Sequence, residues 1–279
     1  MSVSSSHSPD SVAQVLNAWR EWSSPHETVE NPRLGTLVGE GSAHQVFSIT
    51  SFEQYVVRVR REPSPLNGEV TLGELAAWKA AADANLAPRV LHQSSDAQAV
   101  LTERLDFGRV AREAHVGLLK DIHRLTFAGD RLSLEESAMN YWQLLNKKGL
   151  SLQTVSPEWG PLKQDLKLLD EETACFCHND LTPTNIGFRD GKALAIDWEY
   201  AAMGSQHFDV AMASESLDQR LRTGFAQSVL EANFDESLWK AACRTVPVIN
   251  HLWELAVGGS RRVSPSRQQL IGLWSQYRV

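Results

Sequence analysis

The chain has 279 residues, a formal net charge of −7 and 42% hydrophobic residues. This length suits one large domain or two lobes, and the hydrophobic content is ample for a folded core. The negative charge provides no general basic field, so nucleic acid is not expected as a main partner. The start lacks the pattern of a secretory signal, and no segment approaches about eighteen consecutive apolar residues. We therefore expect a cytoplasmic protein that does not insert into a membrane.

Residues 1–8 are rich in serine and are expected to be disordered. An amphipathic helix is predicted from Val12 to Trp19, and Asp10 or Ser11 could cap its start. This helix is expected to cover one lobe.

Valine and aromatic residues predict strands in LGTLVGEGSAHQVFSIT, which begins at Leu34, and in FEQYVVRVR, which ends at Arg60. A Ser-Phe-Glu-Gln turn separates the two, as in an antiparallel hairpin. The Ala-, Leu- and Glu-rich segment 68–85 predicts a helix that ends before a proline. Short strands are predicted over 89–92 and 98–103.

Beyond Leu105 the pattern becomes mainly helical. Only two short strands are predicted there, at 174–177 and 193–196, and they flank the loop 178–190. The predicted helices cover 110–125, 134–148, 157–170 and much of the chain from Phe208 onward, which includes Trp239, Trp253 and Trp274. A strand-rich first third joined to a helical remainder predicts an α+β fold of two lobes.

The cysteines are Cys175, Cys177 and Cys243. The close pair would lie on one face of a strand. A C-x-C pair beside His178 could suggest a metal site, but no second ligand pair follows at zinc-like spacing. The sequence favours two small core residues and no disulfide.

The candidate catalytic residues lie in the stretch CHNDLTPTNIGFRDGKALAIDWEY. Asp180 is followed five positions later by Asn185 and, twelve positions after that, by Asp197. Phosphoryl transfer needs magnesium on the phosphates, oxygen ligands for that metal, and a carboxylate that accepts the proton of the attacking hydroxyl. The pattern therefore predicts that Asp180 receives the proton and that Asn185 and Asp197 hold the metal.

Each of these residues also has a structural explanation. Asp180 or Asn185 alone, near Pro183, would be typical of a cap or an Asx turn. Asp197 differs because the apolar or small residues 194–196 lead directly to it. A carboxylate in such a place is costly unless it is paired or bound to a cation.

The segments HNDLTPTN and IDWEYA resemble the motifs of the aminoglycoside phosphotransferase and choline kinase superfamily, which shares the protein-kinase-like fold. The continuation AAMGSQHFDVA resembles choline kinases and bacterial thiamine kinases. The resemblance implies Asp180 as catalytic base, Asn185 and Asp197 as magnesium ligands, and His178 as a brace for the loop. It implies two lobes, a nucleotide-binding lobe at 1–104 and a catalytic and acceptor-binding lobe at 105–279.

The first lobe is then expected to bind ATP. Its LVGEGSAHQVF resembles the family turn that covers the phosphates, through Gly39, Gly41 and Ser42, although such glycines are also typical of a plain hairpin turn. In YVVRVR, Arg58 matches the arginine of choline-kinase-like proteins and suits contact with phosphate, with Arg60 on the same strand face as the rival.

The helix partner of Arg58 is expected to be Glu74, with Glu69 or a simple solvated charge as alternatives. In LTERL, the backbone from Glu103 to Leu105 falls where the family binds adenine.

The acceptor is harder to predict. Trp253 lies in NHLWELAV, which is similar to the aromatic-rich late helix of choline kinases, and aromatic faces bind cations. Trp198 and Glu199, beside the second metal ligand, are further candidate substrate contacts, and Asp209 either adds acidity or stabilises the lobe. Core packing is favoured for the other tryptophans considered, Trp142, Trp159 and Trp239.

These residues favour transfer from ATP, with Mg²⁺, to a small and cationic alcohol such as choline, ethanolamine or thiamine. An aminoglycoside or sugar acceptor is the alternative. A protein kinase is disfavoured because no Ala-Pro-Glu-like anchor follows the second aspartate. A catalytically silent nucleotide-binding module is the alternative of another class. The oligomeric state and the choice between ATP and GTP stay open.

Overall fold

The computed structural model describes residues 9–22, 31–41, 43–61, 69–147 and 159–256. Helices and antiparallel strands are both present, so the α+β class is confirmed. The predicted disorder of residues 1–8, the predicted phosphate contact of Ser42 and the predicted helix around Trp274 fall outside the described residues.

The strands lie in two groups. Five come from the first part of the chain: β1 Leu34–Glu40, β2 His44–Ile49, β3 Tyr55–Arg60, β4 Val90–Gln93 and β5 Ala99–Glu103. Four follow later: β6 Cys175–Cys177, β7 Ile186–Arg189, β8 Lys192–Ala195 and β9 Ala202–Gly204.

The described helices are α1 Pro9–Asn17, α2 Trp19–Trp22, α3 Glu69–Asp83, α4 Arg112–His123, α5 Leu134–Lys147, α6 Trp159–Asp170, α7 Gln206–Ser214, α8 Gln219–Leu230 and α9 Glu236–Ala256. None of them is long and apolar enough to cross a membrane.

The chain folds into two compact units. The first takes in the described parts of Met1–Gly108 together with Gly187–Glu199, and the second takes in those of Arg109–Ile186 and Tyr200–Val279.

A five-stranded antiparallel sheet forms the centre of the first unit, in the order β1-β2-β3-β5-β4. Alternation along β3 explains its central place, because Val57 and Val59 are buried on one face while Arg58 points to the other. This leaves a charged side chain on the face opposite the apolar core.

The apolar face of this sheet is covered by α1 and α2. Val15, Trp19 and Trp22 pack with residues of the sheet around Phe52, which has no exposed surface. The rings of Trp22 and Phe52 meet edge to face, with centroids 4.9 Å apart. The predicted covering helix is therefore present, although it breaks and restarts at Trp19.

The second unit is built mainly from helices. The long α9 packs against α5, α6 and α7. Leu162, Leu166 and Leu169 of α6 recur at helical spacing and are fully buried. At the end of α6, the Asp170 carboxylate accepts hydrogen bonds from the backbone N–H groups that begin α5, including that of Leu134 at 2.8 Å.

The prediction of only two strands in the later part of the chain was wrong, because β7 and β9 are also present. β7 and β8 pair as a hairpin. Its two turn residues, Asp190 and Gly191, have φ angles of 50° and 78°, as the Asp-Gly turn of a tight hairpin requires. That dipeptide was the available signal for β7, whereas β9 is only three residues long and has no clear alternation.

The burial of Phe52 gives a test of this core. Phe52→Ala should lower the free energy of unfolding by about 3–5 kcal/mol, because it empties a space that the surrounding rings cannot fill. Phe107→Ala is the matched control, since Phe107 is 63% exposed, and it should change stability by less than about 0.5 kcal/mol. Denaturant unfolding of both variants measures the difference, and equal losses would contradict this account of the core.

Candidate functional site

The loop from His178 to Asn185 lies in the second unit and follows β6. It ends in a 3-10 turn, Pro183–Asn185, with proline at a position that needs no backbone donor. Asn185 N–H donates to Thr182 O at 2.9 Å, and Thr182 N–H donates to Asp180 O at 2.8 Å. The backbone therefore folds back on itself and brings residues 180 and 185 together.

The side chains of Asp180 and Asn185 are joined directly. Asn185 Nδ2 donates to the backbone oxygen and to the Oδ2 atom of Asp180, each at 2.8 Å. The amide is thereby oriented, with its Oδ1 atom directed away from these bonds. This pair combines a held carboxylate with an oxygen atom of the kind that binds magnesium.

Asp209, in the first turn of α7, holds this loop through hydrogen bonds. Its carboxylate accepts hydrogen bonds from the backbone N–H groups of Asn179 at 2.7 Å and His178 at 3.2 Å, and from His123 Nε2 at 2.8 Å. Burial alone would raise the pKa of Asp209, but the hydrogen bond and charge of His123 lower it below its usual value. Asp209 is thus a buried anion that fixes the loop.

Two further contacts hold the loop backbone. Asp180 N–H donates to His178 Nδ1 at 3.3 Å, which is the kind of position expected of a brace. His115 Nε2–H donates to the backbone oxygen of Leu181 at 2.8 Å, and burial lowers the pKa of His115. Asn179 takes a φ of 62°, a left-handed conformation that asparagine adopts more readily than most residues.

In the first unit, Arg58 is the centre of a buried charge cluster. Its guanidinium donates to Glu74 Oε1 and, at 2.7 Å, to Asp197 Oδ1. The side chain of Arg58 is 12% exposed and that of Glu74 is 4% exposed. Burial opposes the charge of Arg58, but Glu74 and Asp197 outweigh it and raise its pKa.

His44 on β2 completes this cluster. Its Nδ1 atom accepts a hydrogen bond from Arg58 Nη2 at 2.9 Å. Burial, followed by the charges of Arg58 and Arg60, lowers the pKa of His44 to about 2. His44 is therefore neutral and presents a lone pair to the arginine.

Asp197 follows β8 and has a φ of 65°. Its side chain is 34% exposed, so one oxygen is engaged by Arg58 while the carboxylate stays accessible. The neighbouring Glu199 lies in the same group, since ligand atoms of His44, Asp197 and Glu199 fall within 4.8 Å of one another.

Trp198 lies in the core of the first unit, with no exposed surface, and its Nε1 donates to Ala195 O at 3.1 Å. This burial argues against the predicted substrate contact of Trp198, because the side chain has no face to offer a ligand.

Gly39 lies near the end of β1, where it pairs with Val46, and Gly41 follows the strand. Neither has a positive φ, and a Cβ atom would meet nothing closer than 3.5 Å at Gly39 or 3.8 Å at Gly41. Gly41 O accepts a hydrogen bond from Arg61 Nη1 at 3.0 Å. The fold itself therefore gives no reason for glycine at these two positions.

The predicted adenine segment lies at the end of β5. The side chain of Glu103 is occupied by Arg89, with Nε to Oε1 at 2.7 Å, and by Arg189. Leu105 is buried against Gly187, where a Cβ atom would come within 2.8 Å of the leucine side chain. Within the described ranges, the backbone of Leu105 makes no hydrogen bond, whereas its neighbours are engaged by Gln54 and Phe188.

The predicted acceptor residue Trp253 lies on α9 and is half-buried. Its ring meets that of Tyr200 edge to face at 6.5 Å, and Tyr200 O accepts a hydrogen bond from Asn179 Nδ2 at 2.9 Å. Trp253 is thereby linked to the loop through one residue, Tyr200, which the sequence did not single out.

Trp239, by contrast, is buried, and its Nε1 donates to Thr223 Oγ1 at 3.3 Å, as expected of a core residue. The side chain of Trp159 lies outside the described part of the chain.

Comparison with known proteins gives the class. A model of the phosphotransferase enzyme family matches residues 35–243. The chain belongs to this family. The resemblance to aminoglycoside phosphotransferases and choline kinases is thus confirmed.

Sequence identity to an individual relative is low. The Protein LicA homolog of Mycoplasma capricolum is 26% identical over 98 residues, which are 35% of this chain and 40% of that protein. The match therefore spans less than half of the relative's length.

Solved structures share the fold. A choline/ethanolamine kinase family protein from Mesorhizobium loti aligns with a TM-score of 0.67 and 16% identity, covering 96% of this chain and 93% of that one. Choline kinase LicA from Streptococcus pneumoniae aligns with a TM-score of 0.68 and 15% identity, covering 95% and 98%. The ADP-bound aminoglycoside phosphotransferase APH(2'')-Ib aligns with a TM-score of 0.58 and 16% identity, covering 90% and 92%. These likenesses confirm the kinase-like fold.

The support of the loop by Asp209 can be tested through stability. Asp209→Asn leaves one oxygen for three donors, so it should lower the free energy of unfolding by about 3 kcal/mol. Asp218→Asn is a matched control, because Asp218 is 54% exposed and caps α8, a role that asparagine fills equally well. Denaturant unfolding compares the two, and a loss of under about 1 kcal/mol for Asp209→Asn would contradict the role of Asp209 as the buried anchor.

Proposed function

We propose that this enzyme transfers the γ-phosphoryl group of ATP, with Mg²⁺, to the hydroxyl group of a small cationic alcohol. The observation that carries the proposal is the double hydrogen bond from Asn185 to Asp180. It holds a carboxylate in one orientation beside an amide oxygen, which matches the needs of a proton acceptor and a metal ligand.

Each of the two proposed ligands is chemically suited to a magnesium ion. Asn185 has its amide hydrogens committed to Asp180, which leaves its Oδ1 as an uncharged oxygen ligand. Asp197 gives one oxygen to Arg58 and remains about one-third exposed, so its other oxygen is suited to a hard cation. When bound, the metal would neutralise negative charge on the phosphate oxygens.

Asp180 is proposed to orient the acceptor hydroxyl and to take its proton as the oxygen attacks the γ-phosphorus. Its position is set by the backbone turn and by Asn185, so little motion is needed in the reaction. The proton moves from the hydroxyl oxygen to a carboxylate oxygen of Asp180. The bond between the γ-phosphorus and the bridging oxygen breaks, so the phosphoryl group passes to the acceptor oxygen and ADP is released.

Arg58 is proposed to bind phosphate, with Glu74 as the partner that keeps it oriented. The guanidinium stays charged in a buried place because two carboxylates face it. Gly39 and Gly41 support the same view, since their conformations do not demand glycine and an absent side chain leaves room for an anion. Leu105, rather than the ion-paired side chain of Glu103, offers free backbone groups to adenine.

The role of Asp180 as base can be isolated from binding. Asp180→Asn should reduce kcat by about 10²-fold to 10⁴-fold, because it removes the proton acceptor, while the affinity for ADP stays unchanged. Asp190→Asn is the control, since Asp190 is exposed in the β7–β8 turn with a positive φ that asparagine also accepts. Coupled ADP release and ADP titration measure the two quantities, and unchanged turnover of Asp180→Asn would refute the mechanism.

The class of acceptor is proposed from the surroundings of Trp253. Its ring meets that of Tyr200 edge to face at 6.5 Å, and aromatic faces favour an organic cation.

Two buried polar atoms near this pair, Asn179 Oδ1 and Trp253 Nε1, have no hydrogen-bond partner among the described residues. Such atoms are rare in folded proteins. They suit a ligand that carries its own polar groups.

A screen over choline, ethanolamine, thiamine, aminoglycosides and amino sugars identifies the acceptor. A small cationic alcohol is expected to give the highest kcat/KM. The highest value for an aminoglycoside would exclude the proposed acceptor class, and ATP binding with no transfer to any alcohol would favour the silent nucleotide-binding alternative.

Trp253 provides a sharper test of that class. Trp253→Leu keeps apolar volume but removes the aromatic face, so KM for the best cationic acceptor should rise between about twofold and thirtyfold. The neutral carbon isostere of that acceptor should show little change in KM. Trp239→Leu controls for core packing and should lower stability without altering the ratio of the two KM values. An equal change for cation and isostere in Trp253→Leu would show that Trp253 does not recognise charge.

A further inference from the structure

A second group of side chains that could bind a metal ion lies in the second unit. Ligand atoms of His123, Cys175 and Cys177 fall within 4.8 Å of one another. Cys175 and Cys177 lie on one face of β6, and their Sγ atoms are 3.6 Å apart. His123 ends α4, so the third ligand comes from a segment about fifty residues earlier in the chain.

We propose that His123, Cys175 and Cys177 form a site for a thiophilic metal ion such as Zn²⁺, separate from the magnesium of phosphoryl transfer. The geometry of the sulfur pair carries this proposal. Two thiolates bound tetrahedrally to zinc, each at about 2.3 Å, lie about 3.8 Å apart. The observed separation of 3.6 Å needs only a small adjustment.

The histidine is prepared for the same role. His123 Nε2 is hydrogen-bonded to Asp209 Oδ2 at 2.8 Å, which leaves Nδ1 as the atom that can bind a metal. Histidines that bind metals generally donate their other N–H group to a carboxylate, which fixes the ring and strengthens the ligand. Asp209 therefore supplies the supporting carboxylate that such a site needs.

The site also has an entry path. His123 and Cys175 line a cavity of about 640 Å³, which Lys120 and Glu231 also line. Cys177 is fully buried behind them. A metal entering from the cavity would meet three protein ligands and keep a fourth position for water, since zinc prefers four ligands.

The chemistry of the ligands decides which ion is bound. Thiolate sulfur selects zinc, copper(I) and similar soft ions, whereas magnesium and calcium prefer oxygen. Binding releases the protons of the two thiols, and that of His123 where it is protonated, to solvent. No oxidation or reduction is involved.

The test uses the full chain without a histidine tag, reduced and stripped of metal, and titrated with Zn²⁺ and with Co²⁺. One ion should bind per chain, and Co²⁺ should show thiolate-to-cobalt charge transfer and the d–d bands of tetrahedral coordination. A large excess of Mg²⁺ should not displace it. Cys175→Ser with Cys177→Ser should abolish the charge-transfer band, and His123→Gln should weaken binding by at least about tenfold.

Cys243→Ser is the matched control, because Cys243 lies on α9 outside the cluster, and it should bind the metal like the wild type. Circular dichroism and thermal unfolding without metal verify that each variant is folded. If the double variant does not fold, Cys175→Ser alone, at the half-buried position, replaces it in the test. Unchanged stoichiometry and spectra in the cysteine variants would overturn the proposal. Failure of the reduced wild-type protein to bind either ion would also overturn the proposal. Formation of a disulfide between the two thiols would not rescue it. The outcome is independent of phosphotransferase activity.

Discussion

The loop that carries Asp180 and Asn185 depends on one buried carboxylate. Asp209 accepts two backbone N–H groups and one imidazole N–H while having no exposed surface. A buried charge costs several kcal/mol unless every lone pair is used, so the arrangement is stable only when all three donors are in place. The same donors are then fixed by the carboxylate. The positive φ of Asn179 is maintained by this hydrogen bond together with the tolerance of asparagine for that conformation.

The first unit uses the opposite arrangement. There the buried ion is a cation, Arg58, and its partners are two carboxylates and a neutral histidine. Arginine suits this place because its planar group offers several donors in fixed directions, which a lysine could not match. His44 remains neutral because its own burial and the neighbouring arginines oppose a further positive charge. In both units a candidate functional side chain is held by surrounding polar contacts instead of by apolar packing alone.

Sequence reasoning predicted the α+β class, the family and most elements, because these depend on local periodicity and on a motif with fixed spacing. It missed β9, since three residues carry no usable period, and it missed β7 by overlooking the Asp-Gly turn. His44, Tyr200 and His123 could not be selected, because each gains its importance from a partner distant in the chain. For the proposed zinc site at Cys175 and Cys177 the same limit holds, since zinc-like spacing in the sequence cannot reveal a histidine on another helix. Trp198 illustrates the reverse error, in which proximity in sequence to Asp197 suggested a substrate contact although the indole is fully buried.

The unmet N–H group of Trp253 has a consequence for inhibitor chemistry. A buried donor without a partner carries a penalty of about 1–3 kcal/mol, and Trp253 Nε1 has none within the described parts of the chain. A compound that places an oxygen against this nitrogen would relieve that penalty, which corresponds to a gain in affinity of about fivefold to more than a hundredfold. Such a compound would discriminate against related kinases whose pockets lack an indole at this place. Under the acceptor role proposed for Trp253, selectivity could thus be obtained without relying on the nucleotide site that many kinases share.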